Sequence, residues 1–406
     1  MSRRAVRAAP AAALAAVWAL AAWWLWRTSV PGSLHLPHLD EHRFFSASQL
    51  HAAASFSRFG ELTWAGGSLC QLAVLAVYAR YGARFSRESA AGPIGTGMLL
   101  GMLGFALVWL AELPFGVADL WWQRRHHVSY VGYVDFLFGD WLALAAQFLF
   151  LCLALAIVMG LARLVGRWWW LPAAPLFVGV ALLFAFVTPW LLPTHRLDDP
   201  SLRAAAVRLE AKEGVSRTPV VVQDVRDVTS LPNAEAAGLG PSRRIVLFDT
   251  LLDGRFTEPE LRVVVAHEAG HVARGHIWKS VGWYALFAFP GTFLLALAVR
   301  RRGGMGEAAA IPLALLVLVV LGLLALPFQN AISRHMEAEA DWRALVTTRD
   351  PAAAVGLFRR FVPTTLDDPN PSTLDYVLFE NHPTLLQRIA MAKAYERYAA
   401  GAAQSP

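Results

Sequence analysis

The sequence predicts a multi-pass α-helical membrane protein that also carries a small α+β domain. Hydrophobic residues make up 56% of the 406 residues and charged residues only 16%, whereas soluble domains carry about a quarter charged residues. Several apolar runs approach the length of about 20 residues that a helix needs to cross a bilayer. Two polar segments, one between the runs and one after them, supply the α+β part.

About seven apolar runs are predicted to span the membrane. They lie at Ala11–Trp26, Leu62–Ala79, Ile94–Val117, Trp141–Ala162, Trp169–Leu192, Val281–Val299 and Ala308–Phe328. Many tryptophans stand at the run ends, as aromatic belts do at membrane interfaces. The first run follows three arginines, as in a signal peptide, but three tryptophans between residues 23 and 26 occupy positions where small residues mark a cleavage site. We therefore expect an uncleaved anchor.

These runs divide the chain into four parts. Residues 1–193 form a membrane domain with about five spans, 194–276 a first soluble part, 277–329 a hairpin of two spans, and 330–406 a second soluble part. The net charge of +6 comes from arginines at span ends, which membrane orientation explains better than nucleic-acid binding. Cys70 and Cys152 fall inside predicted spans and are expected to be packing residues. We expect a monomer in the cell membrane whose partner is the lipid bilayer, with no nucleic acid.

The first soluble part is predicted to fold as helix, strands, helix. A helix follows the Asp199-Pro200 pair, and residues 219–223 and 244–248 are short apolar runs typical of strands. Pro232 between them suits an edge position in a sheet. Thr257 with Glu260 three residues later predicts a capping box at the start of the next helix, which extends to about Gly275.

That helix carries His267-Glu268-Ala269-Gly270-His271, the most informative pattern in the chain. Residues four apart share a helix face, so His267 and His271 can present two nitrogens to one Zn²⁺ ion. Glu268 lies at the edge of that face, where it can take a proton from the attacking water. The alternative is a solvated helix that happens to carry two histidines.

A catalytic zinc ion usually takes a third protein ligand and leaves a fourth position for water. The segment Ser333–Asp341 is the candidate source, because Glu337 and Asp341 share a helix face. One carboxylate can bind zinc while the other supports a ligand histidine; the alternative is a solvated acidic face. His335 and Glu339 point elsewhere and are not expected to be ligands. We interpret His276 as a helix-end residue rotated off the zinc face.

An edge strand at Asn233 and Ala234, beside a zinc helix, can accept an extended peptide through main-chain hydrogen bonds. The alternative is an ordinary loop. Taken with the zinc motif, the strand favours a site that binds peptides.

The soluble parts resemble the type I CAAX prenyl endopeptidases and their bacterial relatives, which are membrane zinc proteases of the gluzincin kind. The resemblance rests on H-E-A-G-H at 267–271, S-R-x-x-E-x-x-A-D at 333–341, Asn233-Ala234 followed by Gly238, the run 244–252, and His382-Pro383 with Arg388-Ile389. Together these cover most of residues 190–390. The N-terminal half is similar mainly in layout.

The resemblance implies a zincin-like zinc metalloprotease domain under a ring of seven helices that encloses a chamber. It implies one zinc ion per chain with Glu337 as third ligand, Glu268 as general base, and Asp341 as an auxiliary catalytic carboxylate. His382 would stabilise the oxyanion or hold the substrate backbone. Asn233, Ala234 and Arg388 are the other expected substrate-binding residues. The family often carries P-L-F-N-K-F where this chain has residues 192–197, which leaves the substrate open.

The predicted function is hydrolysis of peptide bonds by water that zinc activates, with Glu268 as the base. An intramembrane protease of the site-2 type is disfavoured because the motif helix carries several charged residues. A zinc-protease-type signalling transducer is disfavoured because we find no large sensor domain in the sequence. A scaffold with structural zinc is disfavoured because it would not need Glu268. The substrate is a peptide or protein; prenylated termini belong to eukaryotic relatives, and misfolded or lipid-linked proteins are the other candidates.

Two arguments on topology conflict. With seven alternating spans, most arginines of the short loops fall on one side, so the positive-inside rule places the N-terminus in the cytoplasm and the zinc domain outside. The family resemblance implies a cytosolic zinc domain. We follow the charge bias and predict that the zinc domain lies outside the cytoplasm.

Overall fold

The computed structural model describes residues 3–87, 89, 91–139, 141–215 and 218–402. Within them lie twelve α-helices and one four-stranded sheet. The helices are α1 (Arg3–Leu25), α2 (Ala47–Tyr81), α3 (Gly92–Arg125), α4 (Trp141–Val165), α5 (Trp170–Leu191), α6 (Pro200–Glu213), α7 (Glu258–Ala273), α8 (His276–Val299), α9 (Ile311–Thr348), α10 (Pro351–Thr365), α11 (Thr373–Leu378) and α12 (Leu385–Ala402). The strands are β1 (His195–Arg196), β2 (Val220–Gln223), β3 (Ala234–Ala237) and β4 (Arg244–Phe248).

Six of the described helices, α2, α3, α4, α5, α8 and α9, are long and apolar enough to cross a membrane. A further helix, α1, contributes the shorter apolar stretch Ala12–Leu25. It packs along α8, where the Trp18 indole donates to the Leu286 carbonyl (3.1 Å) and Gly282 leaves room for Leu25. The predicted multi-pass helical architecture is confirmed.

Two helices are longer than the apolar runs that predicted them. Helix α2 begins at Ala47, well before the run at Leu62, because Ser46 and Gln49 form a capping box there. Helix α9 continues without a break from the membrane to Thr348. The boundary that we predicted between residues 329 and 330 therefore lies inside one helix, which joins the membrane region rigidly to the segment with Glu337.

The sheet has the order β1-β2-β4-β3, with β2 and β4 parallel and both outer strands antiparallel to their neighbours. The two central strands match the predicted apolar runs. The edge strand β3 begins at Ala234, just after the proline stretch that had suggested an edge. Buried residues Ile245 and Leu247 of β4 belong to the same core as Val265 of α7 and Trp342 of α9, so the sheet supports both helices that carry the predicted metal ligands.

The loops at the other end of the membrane helices are rich in arginine. Arg163, Arg167 and Arg300 line one cavity there, and Arg302 donates to the Ala79 carbonyl in the last turn of α2 (3.1 Å). Helix α8 separates these loops from the zinc-motif helix by 24 residues, or about 36 Å of helix. The short loops between spans thus place their positive charge at the end remote from the soluble domain.

Candidate metal centre and substrate cleft

Helix α7 presents the histidine motif to the protein interior. The predicted capping box is present, since Thr257 and Glu260 exchange side-chain and backbone hydrogen bonds at its first turn. Residues 263–270 are buried, and within this stretch His267 and Glu268 are 8% and 6% exposed. Because the helix is buried and is capped at its first turn, it holds the two histidines in fixed positions.

Close contact with α9 brings the third predicted ligand to this face. Gly270 makes the approach possible: a Cβ atom there would lie 3.0 Å from the Arg343 Cβ and 3.5 Å from the Ala340 Cα. Because α9 lies directly against α7 at this glycine, Glu337 reaches the histidines one turn away.

The three predicted ligands converge. His267 Nε2 lies 3.0 Å from His271 Nε2 and 3.1 Å from Glu337 Oε2, and His271 Nε2 lies 3.4 Å from Glu337 Oε1. Atoms about 2.0–2.1 Å from a tetrahedral zinc ion lie about 3.3–3.4 Å apart. Among the described residues this is the one group of histidine, cysteine and carboxylate side chains close enough to hold a metal ion.

The hydrogen bonds of His267 with nearby carboxylates favour a cation at the point where the three predicted ligands meet. Asp341 Oδ1 lies 2.9 Å from His267 Nδ1, and a carboxylate only accepts, so Nδ1 carries a proton and Nε2 is the ring nitrogen available to a metal ion. Burial alone lowers the pKa of His267, but hydrogen bonds to Asp341 and Glu337 outweigh it and raise the pKa to about 10. The surrounding carboxylates therefore favour positive charge at this ring, and the residues fit a zinc ion.

Asp341 and Arg388 form a pair behind His267. Arg388 donates to both carboxylate oxygens, from Nε to Oδ2 (2.8 Å) and from Nη2 to Oδ1 (2.6 Å), and its guanidinium lies over the Phe358 ring. We expected Asp341 to be catalytic and Arg388 to bind substrate. In the structure both residues line the cleft, Asp341 pairs with Arg388 and with His267, and this pairing can hold His267 in position.

His276 is the first residue of α8 and lies outside the group formed by His267, His271 and Glu337. It is buried, with Nδ1 2.9 Å from His271 Nδ1 and Nε2 3.1 Å from Glu339 Oε2. The motif helix was predicted to extend to about Gly275; α7 ends at Ala273, and Gly275 adopts a left-handed φ of 62° before α8 begins. The contact of His276 with His271 was not predicted, because it depends on this turn between the two helices. Glu339 lies behind His276.

A cleft of about 380 Å³ opens beside the metal centre. His267 and Glu268 line it together with apolar side chains contributed mainly by α7 and α10, namely Leu251, Val263, Val264, Leu357, Phe358 and Phe361. His382, in the loop between α11 and α12, lies at the rim with Nε2 3.3 Å from Glu337 Oε2 and its side chain 48% exposed. The cleft thus combines an apolar wall with polar groups at one point.

Asn233 and Ala234 also line this cleft, at the start of edge strand β3. The Asn233 carbonyl accepts the Phe248 N–H (2.9 Å), and bonding alternates along an antiparallel pair. Ala234 and Ala236 therefore turn their N–H and C=O groups away from β4, toward the free edge. An extended chain in the cleft would find unpaired backbone groups there.

Residues 196–396 match the profile described as peptidase family M48. The chain is 32% identical over 220 residues to the Protease HtpX homolog of Acidiphilium cryptum, an alignment that covers 49% of this chain and 75% of that protein. The chain belongs to peptidase family M48.

Other members of family M48 extend the comparison. The chain is 28% identical over 243 residues to the uncharacterized metalloprotease YhfN of Bacillus subtilis, covering 56% of this chain and 57% of that protein. It is 32% identical over 113 residues to CAAX prenyl protease 1 of Saccharomyces cerevisiae, covering 28% and 25%. These matches confirm the resemblance found in the motifs, although the chain aligns with little more than half of YhfN.

The fold is similar to the crystal structure of Ste24p from S. mikatae. The TM-score is 0.72 at 19% identity, and the match covers 93% of this chain and 96% of that one. The similarity therefore includes the N-terminal membrane helices, where the sequence resemblance was weakest. This protein is thus a multi-pass membrane member of family M48 with a small mixed sheet beside its motif helices.

Proposed function

We propose that this protein is a membrane-embedded, zinc-dependent endopeptidase that cleaves extended peptide segments. The observation that carries the proposal is the convergence of His267, His271 and Glu337, of which His267 lines the cleft. Glu268 lines the same cleft beside these ligands. One zinc ion per chain would be held by the two Nε2 atoms and the Glu337 carboxylate.

The substrate chain is proposed to lie antiparallel to β3. Ala234 and Ala236 would donate and accept main-chain hydrogen bonds, which hold a peptide in extended form whatever its sequence. The apolar wall would receive a hydrophobic side chain next to the scissile bond. Specificity would then come from this wall, while the strand supplies affinity.

Bound zinc would supply Lewis acidity toward the scissile carbonyl and toward water. Glu268 would accept the proton of the attacking water and deliver it to the leaving amine. His382 would donate a hydrogen bond where negative charge develops on the carbonyl oxygen. Asp341, held by Arg388, would keep the His267 proton on Nδ1 and the ring in orientation.

Two alternatives have less support. A structural zinc site in a scaffold would be closed, whereas the proposed ligand His267 and the carboxylate of Glu268 both line a cleft. A site-2-type intramembrane protease would carry the motif inside a span, but α7 is not among the helices apolar enough to cross a membrane. A zinc-protease-type signalling transducer stays a second candidate, and cleavage of a peptide in a purified system would decide against it.

The physiological substrate is proposed to be membrane-anchored or lipidated, since the cleft adjoins the membrane helices. The protein is proposed to act as a monomer in the cell membrane. A proteomic comparison of membranes containing the wild type or Glu268→Gln would identify proteins that accumulate uncut.

The test is zinc content and casein cleavage by the purified full-length protein in detergent. About one zinc ion per chain, cleavage lost to a chelator and cleavage restored by zinc are the expected results. A protein that holds no zinc, or that cleaves equally well after chelation, would contradict the proposal.

A further inference from the structure

His276 is a buried histidine that touches no part of the cleft. Its side chain is 4% exposed, and its two ring nitrogens face different partners: Nδ1 lies 2.9 Å from His271 Nδ1, and Nε2 lies 3.1 Å from Glu339 Oε2. Both contacts are within hydrogen-bond distance. The ring therefore connects a predicted zinc ligand to a carboxylate.

The partners of Glu339 determine the direction of each hydrogen bond. This fully buried carboxylate accepts from Arg274 Nε (2.7 Å), Lys279 Nζ (2.8 Å) and the Ser29 backbone N–H (2.6 Å). Surrounded by two cations, it is ionised and only accepts. The proton of His276 must then lie on Nε2, which leaves Nδ1 as an acceptor.

The same reasoning about donors and acceptors determines the tautomer of His271. Since His276 Nδ1 accepts, His271 Nδ1 donates, and the lone pair of His271 lies on Nε2. That atom faces His267 Nε2 at 3.0 Å and Glu337 Oε1 at 3.4 Å. The tautomer required of a zinc ligand is thus set from outside the metal centre.

We propose that His276 and Glu339 are positioning residues for His271, as Asp341 and Arg388 are for His267. This inference rests on the proposed metal site. Each ligand histidine is oriented by a carboxylate, directly for His267 and through a second imidazole for His271. Mutation of outer partners of this kind typically lowers metal affinity or activity by about 10–100-fold.

Two substitutions at one position separate this role from simple packing. In His276→Asn, the amide oxygen takes the place of Nδ1 and can still accept from His271. In His276→Gln, the longer amide takes the place of Nε2 and can still donate to Glu339, but the acceptor for His271 is lost. Both are polar and of similar size, so a role in packing or in neutralising Glu339 predicts that Gln is as good as Asn or better.

The measurement is the zinc dissociation constant of the full-length protein in detergent, by competition with a chromophoric chelator. We expect His276→Gln to bind zinc about 10–100-fold more weakly than the wild type and at least about threefold more weakly than His276→Asn. A smaller gap between the two variants overturns the inference. As controls, His335→Asn and His335→Gln, at a histidine that stacks on Trp26 and contacts none of the proposed zinc ligands, should both bind zinc within about twofold of the wild type.

Thermal unfolding of the metal-free proteins checks that both variants fold. If one does not, Glu339→Gln, which keeps the side-chain volume, replaces it, and unchanged zinc affinity in that variant also overturns the inference. The visible spectrum of the Co²⁺-loaded proteins gives a second readout, because loss of His271 orientation alters the ligand field. A wild type that binds no zinc would instead contradict the proposed function, so the two failures are distinguishable.

Discussion

Glu337 Oε2 lies 3.1 Å from His267 Nε2, although the two residues are 70 positions apart in the chain. The connection between them is the membrane hairpin of α8 and α9. Because α9 is one helix from Ile311 to Thr348, the position of Glu337 depends on how that hairpin is seated in the bilayer. The candidate metal centre is thus joined to the membrane part through the helix that carries Glu337.

Replacing Glu337 by alanine is expected to remove the third ligand and, with it, most of the bound zinc and all cleavage. The carboxylate lies within 3.4 Å of both histidines, and no other carboxylate among the described residues joins this group. Zinc is measured per chain by atomic spectroscopy. Glu396→Ala, at a partly exposed glutamate that pairs with Lys393, is the control. Full zinc and activity in Glu337→Ala would remove Glu337 from the ligand set.

Glu268→Gln is expected to keep the zinc and the fold but lose cleavage. The side chain lines the cleft beside the ligands, and removing a general base costs about 10²–10⁴-fold in rate. Zinc content and kcat are measured on the same preparation. His267→Ala serves as the comparison, since it should lose zinc. If Glu268→Gln lost zinc to the same extent, Glu268 would be a ligand or a structural residue rather than the base.

Ala234→Pro tests the peptide-binding edge. The backbone N–H of Ala234 points away from β4, so proline removes a donor to the substrate without breaking the sheet. We expect kcat/KM to fall by about tenfold, the value of one lost hydrogen bond of about 1.4 kcal/mol, with zinc content unchanged. Ala234→Ser keeps the N–H and should behave as the wild type. An unchanged kcat/KM in the proline variant would count against strand addition.

The membrane orientation is expected to place the zinc domain outside the cytoplasm. Arginine-rich loops gather at the remote end of the membrane helices, and such loops stay cytoplasmic; the family resemblance implies the reverse. A cysteine at exposed Ala204 of α6, in a protein with Cys70 and Cys152 replaced by serine, should react with an impermeant thiol reagent in intact cells. Ser216, in the same soluble segment, lies outside the described residues.

A cysteine at Glu307, between α8 and α9 at the arginine-rich end, is the matched position for the opposite side. It should react only after permeabilisation. The inverse pattern at the two positions would establish a cytosolic zinc domain and show that the charge bias misleads here.

The sequence predicted the local parts of the site well because they depend on residues that lie close together in the chain. The histidine motif, the capping box at Thr257 and the shared helix face of Glu337 and Asp341 each depend on residues within a few positions. The contact between His276 and His271 was not predicted, because a left-handed glycine redirects the chain between them and periodicity carries no information across such a break. The ion pair of Arg388 with Asp341 was not predicted either, since it spans 47 positions and depends on the packing of α12 on α9.

The carboxylate of Glu339 accepts a hydrogen bond from the backbone of Ser29, 310 positions earlier. Nearby, His335 lies 2.7 Å from the Trp26 carbonyl and Lys279 donates to that of Arg27. The segment after α1 leaves the ribosome early in translation, but its binding partners emerge only when most of the chain has been made. The contacts that join this segment to α8 and α9 can therefore form only late in synthesis, after α9 has left the ribosome.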